Sequence, residues 1–131
     1  MIAPSARSLA RIVALACVLA GAAPLTAEPS RAQARVDAAR TAYDVAAHGF
    51  TSTEPGLVHQ WSLTWFEAQR ALPLKGKALA AAAQAHLERM IALQRAVDAA
   101  VAAGTLRESD RVFVAYYRAE AEAIVERKGA R

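Results

Sequence analysis

Two histidines and an aspartate in the first half of the chain have the types and spacing of a metal site. Asp44 and His48 are four residues apart, so both side chains face one side of a helix. Carboxylate and imidazole bind Zn²⁺ and Cu²⁺, and His59 and Glu54 could complete the site across the following turn. The structural alternative is a helix-terminal histidine that complements the dipole and pairs with Asp44. We therefore predict no cofactor, with Zn or Cu at Asp44, His48 and His59 as the alternative.

The motifs of enzymatic chemistry are missing from the sequence. His86 lies on an apolar helical stripe, where we expect a hydrogen-bonded core histidine, and Glu88 after it has no second histidine to form His-Glu-x-x-His. There is no Gly-rich phosphate loop, no Cys-x-x-Cys-His and no serine in a nucleophile elbow. The glutamates of the last predicted helix are interpreted as a solvated face that forms salt bridges: Glu120, Glu122 and Glu126. The prediction is a non-enzymatic protein.

Five aromatic residues could form a surface that binds an apolar ligand or a protein partner: Trp61, Trp65, Phe66, Tyr116 and Tyr117. At helical spacing, aromatic side chains more often belong to the core. Phe66 and one of the two adjacent tyrosines cannot share the main buried face. They are expected in an exposed apolar patch, and such patches often bind partners.

The N-terminal segment has the three parts of a secretory signal peptide. Arg7 and Arg11 precede the apolar run 12–20, and small residues follow it. The run is shorter than the ~20 residues that span a bilayer. We predict cleavage after Ala27, with a cut after Ala22 as the alternative, and a periplasmic or secreted mature chain. Cys17, the only cysteine, would be lost on cleavage, unless it is the attachment site of a lipid anchor.

The rest of the sequence predicts helices separated by turns. Glycine and proline cluster at 49–56, 73–76 and Gly104, which predicts helices over 30–48, 54–72, 77–103 and 109–127. No strand-like alternation occurs, so we predict an all-α fold, either an antiparallel four-helix bundle or two long helical hairpins. Thr51 to Glu54 and Thr105 to Glu108 have the spacing of capping boxes.

Apolar spacing predicts which face of each helix is buried. In the first helix these residues are Ala32, Val36, Ala39, Tyr43, Ala46 and Phe50. In the second they are Leu57, Trp61, Trp65, Ala68 and Leu72. In the third they are Leu79, Ala83, His86, Met90, Leu93, Val97 and Ala100. In the fourth they are Val112, Phe113, Tyr116, Tyr117, Ala123 and Ile124. Several stripes follow the 4-3 spacing of coiled coils.

The two halves of the chain are candidates for an internal repeat. A shift of 55 residues places Gly49 on Gly104 and gives two helix-turn-helix units, 32–72 and 87–127. The formal net charge is +4, and it falls to +2, from 14 basic and 12 acidic residues, once Arg7 and Arg11 are removed. The charges are interspersed, so the basic stripe of a nucleic-acid-binding protein is missing.

The two glycine turns resemble the repeated hairpin of the TolC-type outer-membrane efflux family. Those hairpins carry Gly, then Ser three residues on, Asp six on and an aliphatic residue eight on. The corresponding residues here are Gly49, Ser52, Pro55 and Leu57, and then Gly104, Arg107, Asp110 and Val112. The resemblance covers the hairpin part and not the barrel. It implies a periplasmic helical hairpin or bundle that packs side by side with others.

The segment 63–67 also resembles the Leu-Thr-x-x-Gln signature of the Spy/CpxP-type periplasmic helical proteins, with Glu67 in place of Gln. Two functions follow as hypotheses. The first is an envelope scaffold or protein interaction module that acts through coiled-coil-like faces, with self-association or a protein partner and no transmembrane helix in the mature chain. The second is a chaperone-like or metal-responsive binding protein.

Overall fold

The computed structural model of the protein describes residues 30–49 and 54–129, and helices dominate these residues. The helices are α1 (Arg31–His48), α2 (Pro55–Arg70), α3 (Gly76–Ala102) and α4 (Glu108–Gly129). No strand occurs in either described range. The predicted all-α class is confirmed, and the predicted helix bounds agree to within two residues. The predicted signal peptide, Cys17 and Phe50 lie outside the described residues.

Local interactions explain where the helices begin and end. The Ser30 hydroxyl accepts a hydrogen bond from the Gln33 N–H at 3.1 Å, which caps α1. Pro55 occupies the first turn of α2, where a missing N–H costs nothing. After α3, Gly104 adopts φ 76°, a left-handed conformation that ends helices. The Asp110 carboxylate accepts a hydrogen bond from the Arg107 N–H at 2.9 Å at the start of α4.

The last of these caps corrects a prediction. Thr105 was expected to cap α4, but its hydroxyl donates to the Ala100 carbonyl at 3.0 Å, behind it in α3. In the α3–α4 turn, Thr105 therefore caps the C-terminal end of α3, and Asp110 caps the N-terminal end of α4. For α2, the N-cap residue Glu54 makes no side-chain capping hydrogen bond, and residues 51–53 lie outside the described part.

The helices form two hairpins that meet through their inner helices. α1 packs on α2, α3 packs on α4, and α2 joins the hairpins by packing on α3 and, to a smaller extent, on α4. Within the described residues, the α1 backbone does not come close to α3 or α4. The described backbone of the first hairpin therefore contacts the second through α2 alone, and a groove remains between α1 and α3.

Two clusters of buried side chains hold the hairpins together. The larger is centred on Met90 and Val97 of α3 and Val114 of α4, and it includes Ala46 and Val58. The smaller cluster packs Phe66 of α2 against Ala82 and Ala83 of α3. The predicted stripes of α1 and α3 agree with this core. Their buried members are Val36, Ala39, Ala46, Ala83, His86, Met90, Leu93 and Val97.

The predicted faces of α2 and α4 are correct only in part: Ala68 is buried, and Trp61, Tyr117 and Ile124 pack against the core, but other members differ. In α2 the buried line runs through Val58, Ser62 and Phe66, while Leu57 is 42% exposed. Ser62 interrupts the apolar pattern of that line, so the hydrophobic spacing favoured the neighbouring face. In α4 the buried residues are Val114 and Ala121, whereas Val112 and Phe113 lie on the surface. Val112 and Phe113 thus point away from the core, whereas Tyr117 and Ile124 pack against it.

None of the helices in the described ranges combines the length and the apolar content that crossing a membrane requires.

Candidate functional site

A chain of hydrogen bonds runs through the contact between α2 and α3. The Arg89 Nε donates to the Ser62 Oγ at 2.7 Å, and the Ser62 Oγ lies 2.8 Å from the His86 Nδ1. Ser62 and His86 are 0% and 1% exposed. Because the guanidinium can only donate, the Ser62 oxygen accepts from Arg89 and its proton is left to donate to His86. The Ser62 hydroxyl and the His86 Nδ1 are satisfied by these two hydrogen bonds.

The environment of His86 keeps its ring neutral. Burial, followed by the nearby charge of Arg89 and by His59, lowers the pKa of His86 to about 4. A neutral ring with Nδ1 as acceptor carries its proton on Nε2. The ring also stacks on Phe66, with the ring centres 5.8 Å apart. The predicted hydrogen-bonded core histidine is confirmed.

The Ser62–His86 pair has the composition of a nucleophile and its base, but the site lacks access. Ser62 lies in the interior of α2, and no part of its surface is exposed. An acyl-transfer site also needs donors aimed at a developing oxyanion. Here the surrounding backbone N–H groups are committed to the α2 helix. We interpret the pair as a structural link between the hairpins.

A second histidine, His59, lies close to these hydrogen bonds, on the side that faces α4. The His59 ring stacks on Tyr117 with centres 3.9 Å apart, and its Nε2 is 3.9 Å from the Glu120 carboxylate. Burial lowers the pKa of His59, and the Glu120 charge opposes that effect. A cavity of about 290 Å³ opens here. Its lining residues are His59, Leu63, His86, Glu120, Ala123, Ile124 and Arg127.

At the other end of these hydrogen bonds, Arg89 lies among aromatic rings. The Arg89 guanidinium lies 4.1 Å from the centre of the Trp65 ring and 5.4 Å from that of Tyr43. Both distances are within the range of cation–π attraction. Burial lowers the pKa of Arg89 to about 10, although the nearby Tyr43, Asp44 and Glu88 raise it. Ser62 therefore connects a histidine on the α4 side with an arginine on the α1 side.

The residues predicted to bind metal divide between two helices. In α1, the His48 Nδ1 lies 2.7 Å from the Asp44 backbone carbonyl, and the Asp44 carboxylate is 4.0 Å from Arg40. His59 is in α2 and has Tyr117 and Glu120 as its neighbours. Among the described residues, no group of three or more His, Cys, Asp or Glu side chains is arranged to hold a metal ion.

The five aromatic residues predicted to form a surface have three different environments. Tyr116 is 60% exposed, as expected for one of the two adjacent tyrosines. Trp61, Trp65 and Tyr117 are half-buried. Phe66 is 1% exposed, which corrects the expectation that it lies in a surface patch. It is buried because Ala82 and Ala83 leave room for its ring between the hairpins.

An exposed apolar surface lies on α4. Val112, Phe113 and Tyr116 are 63%, 57% and 60% exposed and lie within two turns of one helix. The Tyr116 hydroxyl donates to the Glu120 carboxylate at 2.9 Å. The exposed helical stripe continues through Ala119 and Ala123. We call Val112, Phe113, Tyr116, Ala119 and Ala123 the exposed α4 face.

Sequence reasoning missed two of the residues that shape these sites. Ser62 carries no local signal, because its role depends on a partner 24 residues away in α3. Arg89 follows His86 by three residues and so lies on the same side of α3, which is the only hint that the sequence offers. Glu120 was assigned to a solvated face, and the structure adds its closeness to His59.

Comparisons with known proteins found no matching family model and no match among curated proteins or solved structures.

Proposed function

We propose that the protein is a non-enzymatic interaction module of the cell envelope that self-associates through the exposed α4 face. The observation that carries the proposal is the exposure of Val112, Phe113 and Tyr116 side by side on one helix. Apolar side chains in one contiguous surface patch are typical of interaction sites. The envelope location rests on the predicted signal peptide, and the non-enzymatic character on the missing catalytic motifs.

The spacing along α4 suits a second helix. Exposed residues recur at intervals of three and four along the whole helix: Ser109, Val112, Tyr116, Ala119, Ala123 and Glu126. This is the period of a coiled-coil seam. The alanines in its second half would allow a partner helix to approach closely.

The charges of α4 favour a second copy in the antiparallel orientation. The first turn carries Glu108 and Asp110, and the last turn carries Arg127 and Lys128. Two antiparallel copies of α4 would place the acidic end of each helix beside the basic end of the other. A two-fold axis through such a pair uses the same surface on both molecules, as most homodimers do.

The size of the face predicts a weak complex. Standard interfaces bury about 800 Å² on each partner, far more than three large side chains and two alanines offer. We expect a reversible dimer that forms at high micromolar protein concentration. A partner that presents a longer apolar helix would bind by the same face.

Sedimentation or light scattering over a range of concentrations tests this proposal, with Val112→Glu as the variant. Glutamate at position 112 replaces an apolar contact on each copy's face with a charge that would have to leave water in the interface, so we expect the dissociation constant to rise at least tenfold.

Val45→Glu is the matched control, because Val45 is 69% exposed and lies on α1. It should dimerise as the wild type does. A wild-type protein that stays monomeric at millimolar concentration, or equal effects of the two variants, would refute self-association through α4. Binding of an unfolded client protein, blocked by Val112→Glu, would then favour the chaperone-like function.

A further inference from the structure

A groove runs between α1 and α3, where the two backbones stay apart. Its walls are mostly apolar, with one ring and one charged group. The lining residues are Tyr43, Ala47, Val58, Arg89, Ala92, Leu93 and Ala96. We refer to these seven residues as the α1/α3 groove. It does not include the exposed α4 face.

Arg89 is the one charged residue in this groove, and it has no carboxylate partner among the described residues. Elsewhere in the described residues, five other arginines form ion pairs with carboxylates: Arg40, Arg70, Arg107, Arg111 and Arg118. Arg89 instead gives its Nε to the Ser62 hydroxyl and contacts the Ser62 carbonyl through a long Nη2 hydrogen bond of 3.4 Å. These contacts occupy one edge of the guanidinium. The other edge, with Nη1, keeps donors in the fork geometry that suits a carboxylate.

The Arg89 guanidinium is also held in position before any ligand binds. Its guanidinium lies against the Trp65 ring and is anchored by Ser62, which in turn is hydrogen-bonded to His86. An arginine fixed in this way loses little side-chain freedom when it binds a ligand. Partial burial also removes competing water, which strengthens a charge-assisted hydrogen bond.

We propose that the α1/α3 groove binds a small carboxylate with a short apolar tail, with the carboxylate on Arg89 and the tail along Val58, Ala92 and Leu93. The charge of Arg89 selects an anion, and the apolar walls select the tail. Tyr43 covers one side of the carboxylate end. Asp44, half exposed and paired with Arg40, lies close enough to disfavour ligands with a second negative charge.

The volume of the groove limits the ligand. It encloses about 170 Å³, below the roughly 300–1,000 Å³ of sites for drug-sized molecules. A flexible acyl chain or a single apolar amino-acid side chain fits this space, and a large cofactor does not. The carboxylate could belong to a free fatty acid or to the C-terminus of a peptide, which share this chemistry.

Calorimetric or NMR titration of the purified protein with octanoate, and separately with N-acetyl-leucine, tests the proposal. We expect octanoate to bind with a dissociation constant below 1 mM, and octan-1-ol, which lacks the charge, to bind at least tenfold more weakly. Tighter binding of octanoate assigns the site to free acids. Tighter binding of N-acetyl-leucine assigns it to chain termini.

Arg89→Met removes the charge and keeps an unbranched side chain, and it should weaken octanoate binding at least tenfold. Arg95→Met is the matched control, since Arg95 is exposed on the same helix, and it should bind as the wild type does. Ala96→Leu fills the groove without touching the Ser62 hydrogen bonds, so it tests the site even if Arg89→Met unfolds. The proposal is overturned if neither carboxylate binds at 10 mM, or if Ala96→Leu binds octanoate as tightly as the wild type.

Discussion

Buried polar residues decide how α2 meets α3. Ser62 and His86 have almost no exposure, yet each has a hydrogen-bond partner within 3 Å. A buried polar group left without a partner costs about 1–3 kcal/mol. The bond between them therefore favours one register of α2 on α3, whereas alanines alone would tolerate several. Their interaction makes the joint between the hairpins specific.

The lowered pKa of His86 predicts that acid destabilises the fold. An unfolded histidine takes up a proton near pH 6.5, whereas His86 stays neutral in the folded state down to about pH 4. Between these values the unfolded state binds more protons, so stability falls as the pH falls. We expect a loss of about 2 kcal/mol from His86 between pH 7 and pH 5. Urea unfolding at a series of pH values measures it.

His86→Gln removes this titration and should flatten the pH dependence of stability over the same interval, although the variant is less stable than the wild type at pH 7. His48→Gln is the control, because the His48 side chain is exposed at the end of α1. It should keep the wild-type pH dependence. A His86→Gln protein with the wild-type slope would show that other groups carry the acid sensitivity.

At the scale of single helices, the turn residues set the lengths and the side-chain pattern sets the faces. α3 ends because Gly104 takes a left-handed conformation, which an L side chain adopts only at a cost. The N–H groups of Thr105 and Leu106 both bond to the Ala100 carbonyl, at 2.9 Å and 3.3 Å. This compact turn brings α4 back along α3.

Gly104→Ala should therefore destabilise the protein by about 1 kcal/mol, the lower end of the cost of a left-handed L residue. The effect is conformational, because nothing lies within 4 Å of an added Cβ at this position. Thermal or urea unfolding gives the difference.

Gly76→Ala is the matched control for this prediction. Gly76 begins α3, has no positive φ and equally has open space at the Cβ position. The substitution should leave stability unchanged or raise it by up to about 1 kcal/mol, since alanine reduces the freedom of the unfolded chain. Equal losses in the two variants would contradict the argument from the Gly104 conformation.

The whole molecule depends on small residues where its two hairpins join. Ala83 is 0% exposed, and with Ala82 it receives the ring of Phe66. A larger residue on α3 would have to displace that ring, and with it the stacking of Phe66 on His86. The α1/α3 groove depends on the same joint, because α2 alone connects the backbone of α1 to the second hairpin.

Ala83→Leu should cost about 1–3 kcal/mol, the usual penalty for adding bulk to a packed core. Ala81→Leu, two positions earlier on the exposed side of α3, should change stability by less than about 0.5 kcal/mol. Denaturant unfolding compares them. If Ala83→Leu were neutral, the hairpins would have to be packed more loosely than the burial of Ala83 indicates.

The sequence by itself determined the helices of this protein and the buried faces of two of them. The glycines and prolines of the sequence predict the helix ends locally, and α1 and α3 carry stripes whose period alone identifies the inward side. His86 could be predicted as a core histidine because it lies on such a stripe. These features depend on residues within a few positions of one another in the chain.

The tertiary structure decided the faces of α2 and α4 and the composition of the sites. Ser62 is buried because His86 and Arg89 are opposite it, and Phe66 because alanines are opposite it; neither fact is visible within α2. Likewise, Val112 and Phe113 are exposed because the contact of α4 with α3 runs along the face that carries Val114 and Ala121. Packing selects a side chain by the space and partners that another helix offers, and hydrophobic spacing along one helix does not contain that information.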